Sequence, residues 1–321
     1  MAVYTEVSDE ELASFVARYD IGRLLSAKGI AEGVENSNYL LQTEQAFFIL
    51  TLYEKRVRED DLPFFIGLMD HVAARGVVCP QPVRDRQGQA LQTLAGRSAA
   101  IVTFLSGMSV DRPEAAHCAA LGEALARFHA AGADFGLRRE NALSMPGWRP
   151  LFEQARAQAD TVSPGLAQRT EKALAFLEAN WPSGLPSGVI HADLFPNNVF
   201  FIGNELSGLI DFYFACNDAL AYDLAICLNA WCFESDGSFN ITKGQAMIGG
   251  YESVRRLEAA EVEALPVLCR GAGLRFMLTR LVDWLNVPPG ALVRPLDPLE
   301  YDRKLGFHRH AVSAVDYGLV R

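Results

Sequence analysis

Long apolar runs, clustered basic residues and paired cysteines are all missing from this chain. No uninterrupted apolar stretch reaches the length of a membrane-spanning helix, so no membrane partner is expected. The opening residues carry no basic start followed by an apolar run, and no secretory signal is expected. Acidic residues outnumber basic ones by 39 to 29, giving a formal net charge of −10. Nucleic acid and anionic membranes both select clustered Lys and Arg, so this balance disfavours both. One small anionic ligand is still compatible with it, because a few cations and a metal ion suffice for a single site. The six cysteines (Cys79, Cys118, Cys216, Cys227, Cys232 and Cys269) form no CxxC pair and lie mostly within apolar segments. A reduced, buried set in a cytoplasmic protein is the expectation. Internal repeats, low-complexity tracts and long linkers are absent too.

What is present suggests two lobes. Half of the 321 residues are apolar, enough for a large buried core. Ser8-Asp9-Glu10-Glu11 is a helix-start signature, and Leu12, Phe15, Val16 and Tyr19 follow on one face. The next hundred residues read as strands. The segment 39–43 and the β-branched, aromatic run 47–53 flank a turn at Glu44-Gln45. Residues 61–75 keep a helical period, with Pro63 in the first turn. Segments 91–94 and 99–105 complete an antiparallel sheet with one inserted helix. After Ser106 the pattern turns helical over 114–131 and 166–180, with a strand-rich interlude over 188–214. Pro288-Pro289-Gly290 and Pro295 to Pro298 mark a loop before a C-terminal helix. The expected domains are 1–105 and 106–321.

The interlude carries the chemistry. It reads His191-Ala192-Asp193-Leu194-Phe195-Pro196-Asn197-Asn198, then two short apolar strands joined through Gly203-Asn204, then Asp211. A hairpin brings its ends together, so Asn198 and Asp211 are expected side by side. One amide and two carboxylates at such a mouth suit a hard cation with oxygen ligands. The second carboxylate, Asp193, is then left to orient an attacking hydroxyl. These are the parts phosphoryl transfer needs.

His191-x-Asp193-x-x-x-x-Asn198 followed by Asp211 resembles the kinase catalytic loop and its metal-binding Asp. Ala192 in place of Arg, and Asp211-Phe212-Tyr213 without a third-position Gly, resemble the aminoglycoside and choline phosphotransferase branch. Within it the chain is most similar to the homoserine kinases of the phosphotransferase-like type. Gly33-Val34-Glu35-Asn36-Ser37-Asn38-Tyr39, Leu50-Thr51-Leu52-Tyr53-Glu54, Leu62-Pro63-Phe64-Phe65, Ile210-Asp211-Phe212-Tyr213 and Asp223-Leu224-Ala225-Ile226 extend the likeness over most of the chain.

The resemblance implies a bilobal α+β protein-kinase-like fold, with an antiparallel N-terminal lobe and a helical C-terminal lobe. It implies ATP and Mg2+ as cofactors and L-homoserine as the small-molecule substrate, a step towards threonine. Asp193 matches the catalytic aspartate, and Asn198 and Asp211 match the metal ligands. His191 matches the bracing histidine, and Asp223 matches a second brace that ties the loop to the following helix. Gly33, Asn36, Ser37 and Asn38 match the phosphate-covering loop, and Val102 to Leu105, including Phe104, match the adenine-binding hinge. The strand position that normally holds a phosphate-binding Lys is Thr51, and its helix partner is Phe65 rather than Glu. Losing both is coherent, because a lone buried Glu would be uncompensated. Lys55 and Arg56 are the nearby cations.

For the ends of an amino-acid substrate the candidates are Tyr213, Asn217, Asp218, Asn229, Trp231, Arg275, Arg280 and Asp283, with Arg275 favoured for the carboxylate. Blander readings stand beside these. Asp and Asn near turns are commonly only turn formers. Arg275 and Arg280 suit structural ion pairs as well as ligands, and Trp231, Cys232 and Phe233 suit a core. His129 suits a structural role, and His308 and His310 suit a solvated C-terminal helix. Two alternative classes remain: a sister kinase for choline, an aminoglycoside, methylthioribose or another amino alcohol, and a nucleotide-binding pseudokinase, which Thr51 supports.

Overall fold

A computed structural model describes residues 5–30, 36–54, 57–287 and 295–320. They divide into two compact units. The first is Met1–Gly107 together with Gly208–Tyr213, and the second is Met108–Ser207 with Phe214–Arg321. Residues 208–213, which the sequence reading assigns to the second domain, therefore pack with the first.

The first unit begins with helix α1 (Asp9–Val16). Its capping box is complete: Ser8 Oγ accepts from the Glu11 N–H, and the Glu11 carboxylate accepts from the Ser8 N–H at 3.1 Å. Six strands follow: β1 (Leu24–Gly29), β2 (Ser37–Thr43), β3 (Phe47–Leu52), β4 (Pro82–Val83), β5 (Gln92–Leu94) and β6 (Arg97–Thr103). They form one antiparallel sheet in the order β1-β2-β3-β6-β4, with β5 beside β6. Alternation sends Tyr39, Leu41, Phe48, Leu50, Leu52 and Ile101 to one face, where Leu12, Phe15 and Val16 of α1 cover them. The opposite face carries Asn38 paired with Thr51, and Leu40 paired with Ile49, which in turn pairs with Val102. Helix α2 (Leu62–Ala73) has Pro63 in its first turn and buries Phe64, Phe65, Leu68, Met69 and Val72.

The second unit is built on helices α3 (Ala115–Ala131), α4 (Met145–Ala155), α5 (Ala159–Val162), α6 (Leu166–Asn180), α7 (Leu220–Trp231), α8 (Ile241–Glu252), α9 (Ala259–Leu285) and α10 (Pro298–His308). Four further strands are β7 (Ser187–Ile190), β8 (Val199–Ile202), β9 (Glu205–Leu209) and β10 (Cys216–Ala219). β7 and β10 pair antiparallel, with Ile190 opposite Cys216. β8 and β9 pair around Gly203, whose φ of 61° suits the tight turn. At Gly208 the chain leaves the second unit. In the first unit the Leu209 N–H donates to the Val78 carbonyl at 2.9 Å, and a Cβ at Gly208 would lie 2.6 Å from Leu105 Cδ1.

Helices α3 and α8 approach closely. A Cβ on Gly122 would stand 2.1 Å from the Met247 carbonyl oxygen, and one on Gly250 would stand 2.1 Å from that of Ala119. Backbone rather than a movable side chain blocks both. Gly122→Ala is expected to destabilise the second unit by about 3 kcal/mol through overpacking. Gly249, one residue before Gly250, meets nothing within 4 Å, so Gly249→Ala should stabilise by up to about 1 kcal/mol. Chemical denaturation of the two variants beside the wild type checks the contrast.

Candidate active site

Strand β7 ends at Ile190 and delivers His191-Ala192-Asp193 into a loop held almost entirely by side chains from elsewhere in the second unit. Ala192 has φ of 64°, a left-handed conformation that costs about 1–2 kcal/mol for a non-glycine residue. What fixes it is Asp223 on α7. Its Oδ2 accepts from the His191 N–H at 2.6 Å, and its Oδ1 accepts from the Ala192 N–H at 2.8 Å. The Ala192 carbonyl accepts from Arg275 Nη1 at 2.8 Å, and the Leu194 carbonyl from Trp231 Nε1 at 2.7 Å. Asn198 Nδ2 donates to both the Asp193 carbonyl, at 2.8 Å, and its carboxylate Oδ2, at 3.1 Å. Asp193 itself stays half-buried.

The Asp223 carboxylate is fully buried. Burial alone pushes its pKa up, but the hydrogen bond and charge of His129, followed by His191 and its N–H, outweigh burial and hold it below the usual value. His129 Nε2 lies 3.2 Å from Asp223 Oδ2, and His129 Nδ1 lies 2.9 Å from the Tyr251 hydroxyl on α8. One carboxylate thus joins the loop to α3, α7 and α8.

Asp211 lies in the first unit, exposed, with φ of 64°. Thr51, where a strand cation is expected, is buried and donates through Oγ1 to Asn38 Oδ1 at 2.8 Å. Tyr213 fills the adjoining space. Its hydroxyl reaches Thr51 and lies 3.5 Å from that of Tyr53, and its ring stands edge-on to Phe65 and to Tyr53. Burial raises the pKa of both tyrosines, so this ladder is neutral. Ser37 Oγ donates to Glu54 at 2.8 Å, and Asn36 Oδ1 accepts from the Glu54 N–H at 3.3 Å. Val102 is buried on β6, and Phe104 is exposed beside Phe47. Gly33, Lys55 and Arg56 lie outside the described residues.

Several residues read as ligand contacts make bonds within the protein. Arg275, Asn229 and Trp231 are all buried. Arg275 Nη1, the Asn229 amide and Trp231 Nε1 bond within the protein, whereas Arg275 Nε has no hydrogen-bond partner among the described residues. Arg275 and Trp231 hold the loop carbonyls on either side of Asp193. Asn229 Nδ2 donates to the Ala225 and Cys269 carbonyls at 3.0 Å, and its Oδ1 lies 2.8 Å from His308 Nε2. Arg275 and Trp231 thus tie the loop to α9 and α7, and Asn229 ties α7 to α9 and α10. Asn217 and Asp218 lie toward the other end of the β7–β10 pair, bonded to Arg139 and Asn141. They line a surface depression of about 900 Å³ that also includes Ser187 and Gly188, remote along β7 from His191. His308 is not solvated. It is 3 % exposed, bonds Tyr317 and Asn229, and burial pushes its pKa down to about 3. The sequence reading also passed over Glu300, Tyr301 and Lys304 on α10. Their only signal was an i,i+4 Glu–Lys pair.

Two outcomes follow from these geometries. Asp223→Ala leaves two buried loop N–H groups and His129 without their acceptor, and should cost about 3–5 kcal/mol in denaturant melts. For His308 the folded pKa is depressed, so its contribution is full above the unfolded value near 6.5 and is lost as pH falls towards about 3. Across that window it should make stability fall by about 1.4 kcal/mol per pH unit. His308→Gln should flatten the slope in urea titrations run from pH 7 to pH 4.

The family model described as "Phosphotransferase enzyme family" matches residues 26–257. A homoserine kinase of Methylobacterium nodulans is 70 % identical over 318 residues, covering 99 % of each chain. A homoserine kinase of Xanthobacter autotrophicus is 67 % identical over 319 residues, again covering 99 % of each. Among solved structures, an amicoumacin kinase in complex with AMP-PNP, Ca2+ and Ami superposes with a TM-score of 0.67 at 16 % identity, covering 94 % of this chain and 92 % of the other. The fold is protein-kinase-like, and the chain belongs to the phosphotransferase enzyme family.

Proposed function

We propose that this chain transfers the γ-phosphoryl group of ATP to the side-chain hydroxyl of L-homoserine, giving O-phospho-L-homoserine. The observation that carries the reading is 70 % identity to a homoserine kinase along 99 % of both chains. In this reaction the substrate hydroxyl oxygen bonds to the γ-phosphorus, and the bond to the β,γ-bridging oxygen breaks as ADP leaves. Asp193 orients the hydroxyl and takes its proton late. The Asn198 bond to its Oδ2 fixes the carboxylate's direction, and the bonds to the Ala192 and Leu194 carbonyls fix its backbone. Such preorientation supplies much of the rate in phosphoryl transfer.

Asn198 and Asp211 fit a hard cation, since they offer one amide and one carboxylate oxygen. Asn198 commits Nδ2 to Asp193, so its carbonyl is the end turned to other partners. When bound there, Mg2+ neutralises phosphate charge. Asn36, Ser37, Asn38 and Thr51 are assigned to the phosphate side of the nucleotide, Val102 and Phe104 to the adenine side. Six buried free cysteines support a reducing, cytoplasmic location. No helix among the described residues is long and apolar enough to cross a membrane.

The test is ADP release with ATP and Mg2+ across L-homoserine, choline, methylthioribose, aminoglycosides and L-serine. Turnover is expected on L-homoserine, with Asp193→Asn lowering kcat by about 10²-fold or more. Asp211→Asn is expected to raise the Mg2+ concentration needed for half-maximal rate. Turnover confined to a different alcohol would keep the kinase chemistry and discard homoserine. Nucleotide binding without turnover on any would leave a pseudokinase.

A further inference from the structure

Helices α9 and α10 carry a cluster of buried charge that the catalytic loop does not use. Arg280 Nη1 lies 2.6 Å from Glu300 Oε2, and Lys304 Nζ lies 2.7 Å from Glu300 Oε1. The Arg280 and Lys304 side chains are only 10 % and 7 % exposed, whereas that of Glu300 is 42 % exposed. Burying two cations against one half-exposed carboxylate is an expensive arrangement, because both cations lose most of their hydration. Core structure accounts for Lys304, whose ammonium also donates to the Asn229 carbonyl at 3.0 Å and sits 4.3 Å from the centre of the Tyr301 ring. Arg280 has less to hold it: its Nη1 also makes a long bond of 3.4 Å to the Asp297 carbonyl, and its guanidinium lies 4.6 Å from the centre of the same ring, paired with the half-exposed Glu300.

Tyr301 connects this cluster to the reaction. The Phe195 ring, two residues past Asp193, packs edge-on against Phe276 at 4.8 Å, and Phe276 packs against Tyr301 at 5.5 Å. Tyr301 is fully buried, yet its hydroxyl has no partner among the described residues. Burial raises its pKa, and the Asp193 carboxylate is near enough to add to the rise. A buried hydroxyl without a protein partner, on a ring that Arg280 covers and that the Phe195–Phe276 contact joins to the loop, is a donor that a ligand can satisfy.

We propose that Arg280, Glu300 and Tyr301 form the subsite for the amino-acid head of the acceptor. Arg280 and the Tyr301 hydroxyl take the α-carboxylate, and Glu300 takes the α-ammonium. An ion pair complements a zwitterion charge for charge, and Lys304 keeps the site net positive when the substrate carboxylate is away. The inference rests on the homoserine reading and supplies its specificity: it explains how an amino acid is selected over an amino alcohol that shares the hydroxyl and the ammonium.

The experiment compares kcat/KM for L-homoserine, L-homoserine amide and 3-aminopropan-1-ol in the wild type, Arg280→Met, Arg280→Lys and Tyr301→Phe. The wild type should prefer L-homoserine to the two analogues by about 100-fold, the worth of a charged hydrogen-bonding pair. Arg280→Met should bring that preference below about tenfold, and Arg280→Lys should restore part of it. Tyr301→Phe keeps the ring and should reduce the preference about tenfold, so it decides the matter should Arg280→Met fail to fold. An undiminished preference in Tyr301→Phe and in any folded Arg280 variant overturns the subsite. So does a wild type that uses 3-aminopropan-1-ol as well as L-homoserine. A wild type that phosphorylates none of the three overturns the substrate reading itself, a separate result.

Discussion

Everything in the second unit's chemistry depends on one carboxylate accepting two backbone N–H groups. Asp223 holds His191 and Ala192 at 2.6 and 2.8 Å, and Ala192 could not otherwise rest at φ of 64° without uncompensated strain. That turn sets the direction in which Asp193 leaves the chain. The neighbouring bonds from Arg275, Trp231 and Asn198 act on residues 192–194 in the same sense. A loop anchored by its own backbone has few alternatives open to it. The Asp193 side chain, proposed to meet the reacting hydroxyl, is thereby preorganised before any ligand arrives.

A second constraint lies in the first unit. Kinase-like strands commonly present a cation at the position of Thr51, paired with an acid on the following helix. Here the cation and the acid are absent together, and Asn38, Thr51, Tyr53, Tyr213 and Phe65 fill the space with neutral hydroxyls and edge-on rings. The substitution is self-consistent: a glutamate at Phe65 would be buried against aromatic rings with nothing to offset its desolvation. Packing also explains why residues 208–213 belong with the first unit, since Tyr213 is one wall of this cluster. On the proposed assignment, charge compensation for phosphates comes from other groups, and Asn198 and Asp211 gain weight accordingly.

The fold was legible where local signals were strong. The Ser8–Glu11 box, the turn at Gly203-Asn204 and the alternation along β2 and β3 are short-range physics, and they appear where the sequence puts them. The His191–Asn198 spacing was legible as a motif. The surrounding polar residues were not. Arg275, Asn229 and Trp231 interrupt apolar helices, and a polar group in such a setting signals either a ligand contact or an internal brace. Periodicity cannot separate the two, because both demand the same inward face. The tertiary partners show the bracing half of that choice, and they are the Ala192 carbonyl, the Cys269 carbonyl and the Leu194 carbonyl. His308 differs from its reading for a related reason: its helix reads as solvated, yet its ring bonds Asn229 and Tyr317.

Asn229 shows how bracing and selectivity share one core. Its side chain joins α7 to α9 through the Cys269 carbonyl and to α10 through His308, and its own carbonyl accepts from Lys304. Two residues along α7, Trp231 grips the catalytic loop at Leu194. The helix that positions Asp193 therefore also positions α10, which carries Glu300 and Tyr301. A protein that had to place a base and an amino-acid head subsite at a fixed separation gains by hanging both from the same helix, since packed interiors transmit displacement rather than absorbing it. If Asp193 is the base and α10 carries the head subsite, as proposed, the buried polar residues of α7 fix the interval between them, and that interval is the quantity that a kinase for one small amino acid must hold constant.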